Sequence, residues 1–236
     1  MSWSTAVRNE LAHERDVLGS YMPRRRNESV WATLPGDLVG RVLRSGRSWE
    51  GWLTRYIKAY TSPERTSIDV GANVGVHTRA MAQDSYETIA LEPQQAAYDR
   101  LIANTTDLAN VRPLRLAASS REGTAAMSHV PGNRGASRLV RSGGDEVVAT
   151  MRLDDLDLHR PVSLIKIDVE GHERDVLAGA VGILTLDRPA LLLEDTTRAR
   201  DMLGDFGYRA TRIALRDFLC LPVEMVGAAT RGRRHA

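Results

Sequence analysis

Residues 66–92 read TSIDVGANVGVHTRAMAQDSYETIALE: a short apolar run, a turn broken by glycines, a polar segment of helical character, and a second apolar run that ends in a carboxylate. No other stretch restricts the fold as strongly. Ser67, Ile68, Asp69 and Val70 are too few and too β-branched for a helix, so they read as a buried parallel strand. Gly71 and Gly75 then let the backbone turn sharply and approach a ligand closely. In an open parallel sheet the ligand lies beyond the carboxyl ends of the strands. Glu92, about 20 residues after the first glycine, stands where a doubly wound sheet places the acid that grips a ribose diol.

Two cofactor classes share this layout. A dinucleotide fingerprint needs glycines where this turn carries Asn73 and Val76, which weakens a pyrophosphate reading. Asp69 also puts negative charge at the strand end, repelling a pyrophosphate but attracting the ammonium and sulfonium charges of S-adenosylmethionine. Sign and spacing favour the methyl donor. The alternatives are a nicotinamide-dependent oxidoreductase on the same strand-turn-helix, and a non-catalytic protein that keeps the fold to bind a partner.

A chain of 236 residues suits one α/β domain with an extension. The expected division is a helical N-terminal extension over 1–64, a core over 65–225, and a basic tail over 226–236. The single cysteine, Cys220, permits no disulfide within the chain and reads as a small buried hydrophobe in a reducing compartment. Residues 1–16 are charged throughout, without the apolar stretch of a leader, and no later run is long enough to span a bilayer, so a cytoplasmic location is expected. Net charge is +2 with acids and bases interleaved, which is no footprint for nucleic acid. The expected partner is a small hydroxylated acceptor, not nucleic acid or membrane, and a homo-oligomer is left open.

All four tryptophans, Trp3, Trp31, Trp49 and Trp52, precede the first strand. Trp49, Trp52, Leu53, Tyr56, Ile57 and Tyr60 fall on one face of a helix that stops before Pro63. Residues 38–43 give a second short helix, and residues 1–20 a third. The extension is expected to cover the carboxyl edge of the sheet, with Trp49 and Trp52 lining the acceptor pocket. Beyond Glu92 come a helix over 94–110 opened by Pro93, a strand over 111–118, and a strand-like segment over 123–128. A turn-rich loop over 131–144 follows, from which Asn133, Arg134, Ser137 and Arg138 reach toward ligands. Strands over 162–169 and 190–193 and a closing antiparallel pair over 207–213 and 218–222 complete the count. The pattern predicts an α/β fold: a Rossmann-like, doubly wound, mostly parallel sheet of seven strands with a helical N-terminal extension.

DVGANVG at 69–75, LEP at 91–93, IKIDVEGHE at 165–173, VLAGA at 176–180 and RPALLLE at 188–194 together resemble the FkbM-type family of S-adenosylmethionine-dependent methyltransferases, class I in fold. The resemblance implies methyl transfer, typically to a hydroxyl oxygen of a sugar or of a natural-product scaffold such as a macrolide ring. It assigns Asp69, Gly71, Asn73 and Gly75 to the cofactor loop, Glu92 to the ribose, with Pro93 beside it in the cofactor set, and Asp168, Glu170 and Glu173 to the signature after the fourth strand. An acid is expected after the third strand, near the adenine. This chain has Ala117, Ala118, Ser119 and Ser120 there, leaving Ser119 as a weak substitute.

An alcohol is a poor nucleophile at neutral pH, so a nearby proton acceptor is expected. The candidates at the sheet edge are Asp168, Glu170, His172 and Glu194. Asp168 also belongs to the cofactor set, and Arg138 joins the tryptophans at the acceptor. Lys166 shares a strand face with Asp168 and either meets an acid or snorkels to an edge. Asp168 with Glu194 and Asp195 leaves Mg²⁺ open, though no metal ligand is assigned.

Overall fold

The computed structural model describes residues 31–130 and 132–226. Trp3, the helix expected over 1–20 and the tail beyond 226 lie outside the described residues. The chain runs α1 (Leu38–Arg44), α2 (Thr54–Tyr60), β1 (Thr66–Val70), α3 (Val76–Ala82), β2 (Glu87–Leu91), α4 (Gln95–Thr105), β3 (Val111–Leu114), β4 (Ala117–Ala118), β5 (Gly123–Ser128), β6 (Arg138–Val140) and β7 (Glu146–Met151). It continues through β8 (Val162–Ile167), α5 (Glu173–Ala178), α6 (Val181–Leu186), β9 (Ala190–Leu193), α7 (Arg200–Asp205), β10 (Tyr208–Arg212) and β11 (Phe218–Pro222).

The main sheet has seven strands in the order β10-β11-β9-β8-β1-β2-β3. Only β11 runs against the others, pairing antiparallel with both β9 and β10. β1 is buried at every position, and β9 likewise, because elements cover both faces of a parallel sheet and neither face is left to water. Ile68, Val70, Ile165, Ile167, Leu191 and Leu193 belong to the large core cluster. Leu53 and Ile57 close a second cluster with Met81, Leu164 and Leu192. From β1 the chain proceeds outward to β2 and β3, then returns to β8 on the other side of β1. This reversal of direction opens a crevice at the carboxyl ends of β1 and β8.

Several segments differ from the sequence reading. The strand expected over 111–118 is split: β3 stays in the main sheet, while Ala117 and Ala118 pair with Thr150 and Met151 in a second sheet of order β4-β7-β5-β6. The loop expected over 131–144 contains β6 and a 3₁₀ turn at Arg134–Ala136. The helix expected over 94–110 ends at Thr105, because the Asn110 carbonyl is drawn into the sheet to accept the Thr88 amide. The single helix face expected from Trp49 to Tyr60 is broken at Glu50, whose φ of 46° is left-handed. Trp49 therefore packs with Leu34, Val39, Leu43 and Val74, whereas Trp52 and Tyr56 pack toward Leu53 and Ile57. No helix among the described residues is long and apolar enough to cross a membrane.

Candidate active site

The crevice is built by letting two strand ends come closer than side chains allow. Gly71, just past β1, has φ of 80°, and a Cβ there would lie 2.0 Å from the Asp168 carbonyl oxygen. Its amide and that of Ala72 both donate to the Leu91 carbonyl, so the turn after β1 stays stitched to the end of β2. Asn73 then adopts φ of 50°, a left-handed conformation that asparagine tolerates better than most residues. This aims its amide at Glu92: Asn73 N donates to Glu92 Oε2 at 2.9 Å, and Gln94 N donates to Oε1 at 2.9 Å. Glu92 is 3% exposed. Burial pushes its carboxyl up to about 7 despite the two amides, with Asp69 and Asp168 adding their charge. Each oxygen keeps a lone pair for a further donor such as a diol.

A cavity of about 500 Å³ opens beside this carboxylate, within the range of pockets that bury a small-molecule ligand. Gly71, Asn73, Glu92 and Pro93 line it. So do Asp168, Glu170, His172 and Glu194 on a second side, and Trp49, Trp52 and Arg138 on the rim. Asp69, Gly75 and Ser119 sit behind the wall. Asp69 is fully buried below the glycine turn, where Oδ2 accepts from Thr78 Oγ1 at 2.6 Å and Oδ1 has no hydrogen-bond partner among the described residues. It bears on the site through charge, raising Glu92 and Lys166. Gly75 faces Leu101 of α4. Ser119 is 3.0 Å from His172 Nε2, so it positions that ring and is not itself in the wall.

The second side is a chain of alternating charges. Lys166 Nζ donates to Asp168 Oδ2 at 3.0 Å. Burial alone would lower the ammonium, but Asp168, Asp69 and Glu50 outweigh it and hold the lysine above its usual value. Burial alone would raise Asp168, but Lys166 and a hydrogen bond from Glu194 keep it below the ordinary carboxylate range. The shared proton resides on Glu194, which burial and the Asp168 charge push up to about 10. Arg216 reaches Glu194 Oε1 at 3.1 Å and Glu170 Oε2 at 3.7 Å. The first contact persists with a neutral Glu194, because a guanidinium also donates to the oxygen of an uncharged carboxyl.

Glu170 is not in the first turn of α5: it has φ of 50° and precedes the helix, while His172 occupies the cap position. Its carboxyl is raised by burial and by Asp168, with Arg216 opposing. Burial lowers His172, opposed by Asp175. Asp195 does not join Asp168 and Glu194, because its Oδ1 accepts from Thr197 N at 2.7 Å and Thr197 Oγ1 at 2.6 Å. The acids facing the cavity are matched by Lys166 and Arg216, and among the described residues no group of three or more His, Cys, Asp or Glu is gathered to hold a metal ion. This donor set does not fit Mg²⁺.

Three wall residues were not singled out as site residues from sequence. Arg216 arrives on the turn between β10 and β11, and no local pattern marks it. It meets Glu194 from this hairpin. His77 of α3 and Glu50 form a pair across the cavity wall, with Nε2 to Oε2 at 2.8 Å. The signal for His77 was its place two residues after Gly75, on the helix that opens at the ligand.

A seven-stranded, mostly parallel sheet with this strand order and a ligand crevice at the tips of β1, β2 and β8 is the class I methyltransferase fold. The chain belongs to the FkbM methyltransferase family: residues 69–216 match the methyltransferase FkbM domain. It is 31% identical over 121 residues to hexuronic acid methyltransferase AglP of Haloferax volcanii, a stretch covering 49% of this chain and 50% of that relative. The crystal structure of methyltransferase FkbM from Methylobacillus flagellatus KT superposes with a TM-score of 0.50 at 17% identity, covering 71% of this chain and 49% of that one. The matched stretches thus span about half the length of each relative.

Proposed function

We propose that the protein is an S-adenosylmethionine-dependent O-methyltransferase acting on a hydroxyl of a sugar or a polyketide-like natural product. The observation that carries this reading is the Glu92 carboxylate, buried at the tip of β2, fixed by two backbone amides and open to a cavity of about 500 Å³. Glu92 would hold the ribose diol. Asn73 Oδ1 is a buried acceptor in the cavity wall without a partner among the described residues, and it suits an ammonium donor, since a buried polar atom left unpaired is costly. Bound there, S-adenosylmethionine would supply a methyl group already activated by its sulfonium.

The residues of this chain then have two tasks: to align an acceptor oxygen, and to exclude water from it. Trp49 and Trp52 give the cover an apolar face toward the cavity. The relative's name supports a saccharide among the acceptor classes, which makes uronic acids the first compounds to try.

Calorimetry with S-adenosylmethionine and with NAD tests the cofactor. Transfer of labelled methyl to a panel of hexuronic-acid saccharides, neutral sugars and hydroxylated macrolactones tests the reaction. Binding of the methyl donor with label on an acceptor oxygen is the expected result. Absence of donor binding, or tighter binding of NAD, would overturn it.

A further inference from the structure

We propose that His77, oriented by Glu50, is the group that takes the proton from the acceptor hydroxyl. This deepens the O-methyl transfer reading above and rests on it. An alcohol attacking a methyl group must lose its proton, and a positioned base speeds such a step by roughly a hundredfold or more.

The acids at the strand tips are committed elsewhere. Glu92 takes two backbone amides, and Asp168 is held by Lys166 and Glu194. Asp168, stabilised in its charged form, is a poor proton acceptor, and Glu194 already carries the shared proton. Glu170 faces Arg216. His172 has both ring nitrogens engaged, Nε2 with Ser119 at 3.0 Å and Nδ1 with Asp175 at 3.5 Å.

His77 differs on each count. Its ring forms part of the cavity wall, and its side chain is 9% exposed. Its Nε2 lies 2.8 Å from the Glu50 carboxylate. With Nε2–H donated to that carboxylate, Nδ1 is the unprotonated, basic nitrogen. This is the base-and-orienter arrangement by which a carboxylate fixes the imidazole tautomer and stabilises the imidazolium that forms. Glu50 sits between Trp49 and Trp52 in a left-handed conformation, a strained state for a residue other than glycine. The conformation that breaks the helix face is the one that places the carboxylate on His77. The other charges bearing on the pair are Asp168, which the His77 charge would favour in its ionised form, and Lys166, which Glu50 stabilises.

As the acceptor oxygen forms its bond to the methyl carbon, the electron pair of the broken C–S bond stays on sulfur and the hydroxyl proton passes to His77 Nδ1. Glu50 acts through His77 and is a positioning residue.

The test compares wild type, His77→Gln and Glu50→Gln by kcat and KM against pH, by calorimetric affinity for S-adenosylmethionine, and by the ring-nitrogen NMR shifts of His77, which report its tautomer, in the ligand-free protein. His77→Gln is expected to lower kcat by about a hundredfold or more, to change donor affinity less than about threefold, and to remove the acid limb of the pH profile. Glu50→Gln is expected to lower kcat with KM nearly unchanged and to leave the His77 ring as a mixture of tautomers, because Nε2–H loses the carboxylate that fixes it. A His77→Gln enzyme with near-normal kcat and an intact acid limb would overturn the inference, as would donor affinity falling in step with rate. A wild type that binds the donor yet methylates no hydroxyl would instead overturn the functional reading and take this inference with it.

Discussion

The cavity has two rims built on opposite principles. On the strand-tip rim, Glu92, Asp168 and Glu194 are anchored at the ends of the parallel strands β2, β8 and β9, and each carboxyl is met by a backbone amide, a lysine, an arginine or another acid. On the cover rim, Trp49, Glu50 and Trp52 come from a short segment, and Glu50 reaches across to His77. The difference separates two duties. A rigid, prepaired rim suits a ligand whose charges never vary, whereas a sparsely tied rim can adapt to an acceptor and carry a proton that comes and goes. Substitutions on the two rims should therefore fail in different ways.

The largest effect is expected at Gly71. Alanine there brings a Cβ to 2.0 Å from the Asp168 carbonyl at a φ of 80°, so β1 and β8 must part. We expect Gly71→Ala to lose about 4 kcal/mol or more in chemical denaturation, with donor binding lost as well. Retention of wild-type stability would show that the strand tips are not rigid. Next comes Lys166→Met, which strips the buried Asp168 of its cation and should cost about 3 kcal/mol. A loss under about 1 kcal/mol would mean that the rim is solvated.

The tip rim also makes a pH prediction. Glu92 titrates near 7 in the fold against an ordinary value of 4.5. An acid whose folded-state value is raised contributes stability that is fully present below its unfolded value and is lost as pH rises through the folded one. Ligand-free protein should lose on the order of 3 kcal/mol from this group between pH 4.5 and 8. Glu92→Gln should flatten that slope, and an unchanged slope would move the cause elsewhere. The smallest effect belongs to the cover: Trp49→Ala should raise acceptor KM by about tenfold, the worth of an apolar contact, with donor affinity nearly unchanged. A drop in donor affinity instead would erase the distinction between the rims.

The rims differ equally in how they could be read from sequence. Gly71, Asn73 and Glu92 were legible because strand, turn and acid follow one another at short, fixed spacing. Asp168 and Glu194 were legible as the last residues of apolar runs. The second sheet was not, because β4 has two residues and β6 three, too short for alternation to show. The break at Glu50 was invisible because glutamate carries no turn signal, so a continuous helical pattern looked intact across a left-handed residue. Arg216 was hidden because only tertiary folding brings its hairpin to Glu170 and Glu194.

The most direct test of the central claim, that the tips of β1, β2 and β8 form a site for a cationic adenosyl methyl donor gripped by Glu92, is calorimetric titration of S-adenosylmethionine into wild type and Glu92→Gln at pH 8. We predict saturable one-site binding to the wild type and at least about tenfold weaker binding to the variant, since a charged acceptor is replaced by a neutral amide. Equal affinity in the two proteins, or no binding to the folded wild type, would contradict the account.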